Sequence, residues 1–151
     1  MRYLVDTGVL LRLFDTSDAN HQAIRTLFSQ IRREQQHTLC TAAQNIAEFW
    51  NVSTRPVSAR GGFGQDVAST NRRVQFLEKF GQVISDHPDA YAEWRQLIVD
   101  HQVKGVSVHD ARLVAVMQAA SITTIITLNA ADFSRYATVT ALTPQQVLAT
   151  L

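Results

Sequence analysis

The stretch Tyr3-Leu4-Val5-Asp6-Thr7-Gly8-Val9-Leu10-Leu11-Arg12-Leu13-Phe14-Asp15 decides the fold. Its first apolar residues run without polar alternation, as in a strand buried on both faces, and stop at an acid. The reading is a short strand over 2–5, ended by Asp6-Thr7-Gly8, with a helix through Phe14. The same grammar recurs downstream. Ile24, Leu27, Phe28 and Ile31 fall at i, i+3, i+4 and i+7, which predicts an amphipathic helix capped by Asp18 or Asn20. Thr38–Thr41 reads as a strand, and 43–53 as a helix carrying Ile46, Phe49 and Trp50. Residues 55–70, with Pro56, Gly61, Gly62 and Gly64, read as a mobile loop, with helix returning at 71–80.

Gln82–Ser85 is a further candidate strand, and His87-Pro88 opens a helix with Tyr91, Trp94, Leu97, Ile98 and His101 on one stripe. Val106–Val108 reads as a short apolar piece, after which Asp110 opens a helix with Leu113, Val114 and Met117. Thr123–Leu128 is a continuous β-branched strand, followed by a polar loop over 129–133 and a last strand over Thr138–Leu142. Thr143 and Pro144 are the N-cap and first residue of a final short helix. Strands alternating with helices, and apolar throughout, predict an α/β fold with a mostly parallel central sheet covered by helices on both faces. No linker or repeat divides residues 1–151, so a single domain is expected.

Composition narrows the function. Of 151 residues, 46% are hydrophobic, which is globular, and 18% are charged, against about 25% in a typical domain. That deficit hints at a surface covered by a partner. The single cysteine, Cys40, excludes an internal disulfide and a thiolate zinc site; an apolar strand around it makes it core. No apolar run is long enough to span a membrane as a helix, and Asp6 and Asp15 interrupt any signal-peptide core, so a cytoplasmic setting is expected. The net charge of +1 announces no polycation. Its distribution is uneven: residues 1–81 hold ten Lys and Arg against seven Asp and Glu, and residues 82–151 four against six.

Ligands of parallel sheets bind at the carboxyl ends of the strands. Asp6, Asp110, Asn129 and Asp132 follow apolar pieces there, and Glu48 lies one turn into a helix that follows another. Five oxygen-bearing side chains from four segments thus point to one edge. Carboxylates gathered without a counter-charge repel one another, and a hard divalent cation, Mg²⁺ or Mn²⁺, resolves the repulsion. Such a site suits phosphodiester hydrolysis.

Val5-Asp6-Thr7, the helical Glu48, Asp110 on an Ala-containing helix, and Thr127-x-Asn129-x-x-Asp132-Phe133 together resemble the PIN-domain ribonucleases. Among these, the order and spacing resemble the VapC-type toxins of toxin–antitoxin pairs. The resemblance runs from Asp6 to Phe133. It implies that Asp6, Glu48 and Asp110 hold the catalytic Mg²⁺ or Mn²⁺, with Asp6 and Asp110 as principal ligands. It leaves open whether Asn129 or Asp132 fills the fourth position. Thr7 and Thr127 match hydroxyl residues that orient a carboxylate or a water, whereas Gly8 departs from the Asn or Ser common after them. The resemblance further implies a metal-dependent endoribonuclease, a homodimer, an RNA substrate and an antitoxin partner that covers the site.

Arg55, Arg60, Arg72, Arg73 and Lys79 outnumber Asp66 and Glu78 over 55–79. They form either a solvated face or, with Arg12, a rim that grips substrate phosphates beside the acids. None of the five histidines forms a metal-ligand pair; His101 reads as packed, and His109, beside Asp110, as a possible substrate contact. Gly61-Gly62-Phe63-Gly64 lacks the Lys-Ser/Thr of a phosphate loop. Surplus apolar residues on the helices at 24–31 and 91–98 suggest a dimer face. Against the nuclease stands a PIN-fold RNA- or protein-binding module without turnover, since fold alone does not fix function. A phospho-accepting receiver domain is disfavoured, because no mid-chain strand ends in an Asp suited to accept phosphate.

Overall fold

The computed structural model describes all 151 residues. Five strands form one sheet: β1 (Arg2–Val5), β2 (Thr38–Ala42), β3 (Gln82–Ile84), β4 (Thr124–Ile126) and β5 (Thr140–Leu142). The spatial order is β3-β2-β1-β4-β5 and every adjacent pair is parallel. Seven helices cover it: α1 (Thr7–Leu13), α2 (His21–Glu34), α3 (Ala43–Thr54), α4 (Val67–Phe80), α5 (Ala90–Asp100), α6 (Ser107–Ala119) and α7 (Pro144–Leu148). A short 3₁₀ turn, Ala130–Phe133, joins β4 to β5.

Alternation along the strands builds a core on each face. Tyr3, Val5, Leu39 and Ile126 face a buried cluster with Val9, Leu10, Ile24, Leu27, Phe49 and Leu77, from α1 to α4. Leu4, Cys40 and Ile125 face the opposite cluster, with Leu113, Val114, Met117 and Phe133. Side chains of successive strand residues point to opposite faces, so an unbroken apolar strand needs both.

The sheet order reverses beside β1: the chain leaves β1 for β2 on one side and reaches β4 on the other. A crevice at the carboxyl ends of two such strands is the usual ligand position in open α/β sheets. Here it lies where Asp6 follows β1 and Thr127 follows β4, and the Asp6 N–H donates to the Ile126 carbonyl at 2.9 Å.

Several expectations need correction. The short apolar piece Val106–Val108 belongs to no strand: Ser107 already begins α6, and Val106 is 83% exposed. Asp110 therefore does not open its helix but sits in its first turn. The helix expected from 71 begins at Val67, because Asp66 Oδ1 accepts from the Ser69 N–H at 2.6 Å and caps it. The glycine loop before it is tied down. Phe63, Gly64 and Gln65 N–H groups donate to the carbonyls of Val52, Arg55 and Ser53 at the end of α3. The helix of His87-Pro88 starts at Ala90. Ile24, Leu27, Phe28 and Ile31 are all buried in the chain's own core, so α2 offers no apolar dimer face. Tyr91 and Val99 of α5 remain exposed. Thr143 caps α7 as expected: its Oγ1 accepts from Gln146 N–H while Gln146 Oε1 accepts from Thr143 N–H.

Candidate active site

Asp6 is the N-cap of α1, and its two oxygens are separately engaged. Oδ1 accepts from the Thr7 N–H at 2.7 Å, and Oδ2 from the Thr127 hydroxyl at 2.7 Å. Glu48 comes from the second turn of α3. Its Oε2 accepts from the Thr7 hydroxyl at 2.8 Å and its Oε1 from Gln44 Nε2 at 2.9 Å. Gln44 Nε2 also donates to the His109 carbonyl at 3.0 Å, which ties α3 to the turn of α6 that carries Asp110. Asn129 binds the Asp132 carboxylate through its side-chain amide, and its backbone N–H donates to Thr127 Oγ1 at 3.0 Å.

Two of the four acids are shifted. Asp110 is pushed up to about 6, first by burial and then by the charges of Asp132, Asp6 and Glu48, with His109 pulling the other way. Asp6 is also raised, chiefly by burial, against the lowering bonds from Thr127 and Thr7 and with the Glu48 and Asp132 charges adding to the rise. None of the four forms an ion pair: the four salt bridges of the chain lie elsewhere. The structure thus brings Asp6, Glu48, Asp110 and Asp132 together, with Thr7, Thr127 and Asn129 holding three of them.

This donor set fits a hard divalent cation in its chemistry: all oxygen, net negative and unneutralised. The Gln44 Oε1 atom beside Glu48 is buried without a hydrogen-bond partner, so the cluster also leaves an oxygen unsatisfied. No group of three acids or histidines is already gathered as a chelate. Mg²⁺ retains several waters and takes one or two carboxylates directly, so a closed cage is not required.

None of the arginines of the predicted basic rim pairs with one of the four acids. Arg12 pairs with Asp18 at 2.9 Å. Arg55 donates to the Arg60 carbonyl at 2.9 Å, and Arg72 to Ser69 Oγ at 2.9 Å. The Arg73 guanidinium lies 5.2 Å from the centre of the Phe14 ring, whose edge meets Phe76. Phe14, Gln65, Ser69, Arg72, Arg73 and Phe76 line a cleft of about 330 Å³. His101 packs on Tyr136, as a core histidine would, and His109 stays exposed.

Sequence reasoning missed Gln44 and Asn45. Asn45 is fully buried and donates from Nδ2 to Thr7 Oγ1 at 3.1 Å. Its only signal in the sequence is its place one turn before the core residue Phe49.

A parallel sheet with acids at its reversal point is the arrangement described above, and the PIN domain family model matches residues 3–139. The chain belongs to the PIN domain family. Its fold is similar to that of VapBC2 from Rickettsia felis bound to a promoter DNA fragment, with a TM-score of 0.70, 13% identity and 95% of this chain and 98% of that chain covered. VapBC-1 from nontypeable Haemophilus influenzae gives 0.68 at 16% identity, covering 96% and 99%. Mycobacterium tuberculosis VapC20, a toxin that cleaves the sarcin–ricin loop, gives 0.58 at 18% identity, covering 82% and 86%. At these identities the likeness is one of fold. No curated protein matches the chain in sequence.

Proposed function

We propose that this chain is a Mg²⁺- or Mn²⁺-dependent endoribonuclease and the toxin of a toxin–antitoxin pair. The observation that carries the reading is the convergence of Asp6, Glu48, Asp110 and Asp132 without a cationic partner. A bound divalent cation supplies positive charge and Lewis acidity at a scissile phosphodiester. Asp6, Glu48 and Asp110 would hold it, with Asp6 and Asp110 as the principal ligands. Asp132 would orient and deprotonate the attacking water. Thr7 and Thr127 fix the carboxylates of Glu48 and Asp6, and Asn129 fixes that of Asp132. The fourth position is then filled by Asp132 with Asn129 as its support. Bare carboxylates repel RNA, so Arg12, Arg55, Arg60, Arg72 and Arg73 supply the phosphate contacts that position the strand. The antitoxin, the homodimer and a cytoplasmic setting follow from the VapC-type resemblance; the likeness of fold to VapBC complexes supports the first.

The test is cleavage of a labelled structured RNA with Mg²⁺, with Mn²⁺ and with chelator, comparing the native chain with Asp6→Asn. Metal-dependent cleavage that falls at least about 100-fold in Asp6→Asn is expected, consistent with loss of a principal ligand. Equal cleavage by both proteins would remove Asp6 from the chemistry. No cleavage by either, with no metal-induced rise in melting temperature, would favour the second reading, a PIN-fold binding module. The amide Asn129, in place of an acid two residues after Thr127, is the feature on that side.

A further inference from the structure

The hydrogen-bond direction around Thr7 is fixed by a residue outside the carboxylate cluster. The Ala42 N–H, at the end of β2, can only donate. It donates to Asn45 Oδ1 at 3.1 Å. This pins the Asn45 amide: its oxygen must face Ala42, and its Nδ2 must face Thr7. Nδ2 then donates to Thr7 Oγ1 at 3.1 Å, and the single Thr7 hydroxyl proton is left for Glu48 Oε2, at 2.8 Å. Asn45 is fully buried and Thr7 nearly so, so no water competes for either end. A matching relay serves the neighbouring acid. The Asn129 N–H donates to Thr127 Oγ1, whose proton goes to Asp6 Oδ2. Each threonine is thus made a one-way donor by an amide that cannot accept in return. The second relay needs only backbone; the first needs the Asn45 side chain.

We infer that Asn45 is a positioning residue of the site, acting through Thr7 to hold the Glu48 carboxylate in place. The inference rests on the carboxylate cluster being the metal-dependent site proposed above. Glu48 Oε1 is held by Gln44, so without the Thr7 bond the carboxylate is free to swing about that one contact. Supporting bonds behind a metal ligand are worth about 10- to 100-fold in metal affinity or activity.

Asn45→Asp separates this role from a structural one. The substituted side chain keeps the size and still accepts from the Ala42 N–H. As a carboxylate it cannot donate to Thr7, so the Thr7 proton turns towards it and away from Glu48. Thr7→Val removes the same bond from the other side. With metal absent, both substitutions should move the ¹³C resonance of the Glu48 side-chain carboxyl in the same direction. An unmoved resonance in Asn45→Asp, beside a moved one in Thr7→Val, overturns the inference whether or not the chain cleaves RNA. Mn²⁺ affinity and kcat should each fall about 10-fold in either variant with KM little changed, and the double variant should fall no further than the worse single one. Additive losses, or a fall in melting temperature with unchanged Mn²⁺ affinity, would assign Asn45 to fold stability alone. If Asn45→Asp does not fold, Asn45→Ala, which frees the Thr7 hydroxyl to rotate, serves in the carboxyl and Mn²⁺ measurements. Failure of the native chain to bind Mn²⁺ or cleave RNA counts against the nuclease reading, and the carboxyl resonance still decides the role of Asn45.

Discussion

Asp110 shows how one side chain records the demand of the whole cluster. Its carboxyl is raised from 3.8 to about 6, by burial and by three neighbouring acids. A group that holds its proton more firmly folded than unfolded adds stability at low pH, and that stability is lost as pH rises through the folded value. Asp6 is shifted in the same direction. The metal-free melting temperature is therefore expected to fall as pH rises from about 4 to 7, and Asp110→Asn should flatten that fall. Melting curves across this range check it; an equally steep fall in the variant would place Asp110 outside the coupled group. Added Mn²⁺ should raise the melting temperature above about pH 6 in the native chain and much less in the variant, because ligands must be ionised. The acids were legible in the sequence because Asp6 and Asp132 interrupt apolar or polar runs at places a parallel sheet makes significant. Gln44 and Asn45 were not. Two amides on a helix read as solvated polar positions, and only tertiary packing shows that Asn45 shares the buried face of Phe49.

At the scale of elements, the strands were readable and three helix starts were not. An apolar run such as Ile125-Ile126 between turn residues is distinctive, whereas Val106-Ser107-Val108 has the same look and lies in a turn and the start of α6. Three residues carry too little periodicity to separate strand from helix. The glycines after α3 drew attention away from Asp66, whose side chain caps α4. Those glycines have a role that is local and steric. A Cβ on Gly62 would stand 2.3 Å from the Arg55 carbonyl oxygen and 2.4 Å from that of Pro56. Both are backbone atoms, and both accept hydrogen bonds, from the Gly64 and Ala59 N–H groups, so Gly62→Ala should destabilise by about 1–3 kcal/mol, as overpacking does. Gly8 gives the contrast: it lies inside α1 with nothing within 4 Å of the added carbon. Gly8→Ala should be neutral or stabilise by up to about 1 kcal/mol, since glycine is a poor helix former. Urea titrations of the two variants measure both, and a tolerated Gly62→Ala would show that the loop backbone can move off α3.

Across the whole molecule, the positive excess of residues 1–81 and the negative excess of residues 82–151 place two kinds of surface on one small fold. Arg12 and Arg112 alone among the arginines have carboxylate partners. Arg72 and Arg73 have none, and they flank the Phe14–Phe76 pair at the far end of α1 from Asp6. α1 is seven residues long, so about 10 Å of helix separates that cleft from the acids. Guanidinium groups beside an exposed ring, Phe76, and a half-buried one, Phe14, suit an unpaired nucleic-acid strand, with phosphates on the arginines and bases on the rings. If RNA follows this path, Arg72→Ala and Arg73→Ala should each weaken binding about equally for all RNA sequences. Each should also lower the slope of log affinity against log salt concentration by about 1, because one phosphate contact is lost. Filter binding of a labelled RNA to the metal-free protein, at several salt concentrations, reads both effects without cleavage. An unchanged slope in both variants would take the cleft out of the RNA path. The phosphate contacts of the proposed nuclease would then fall to Arg55 and Arg60.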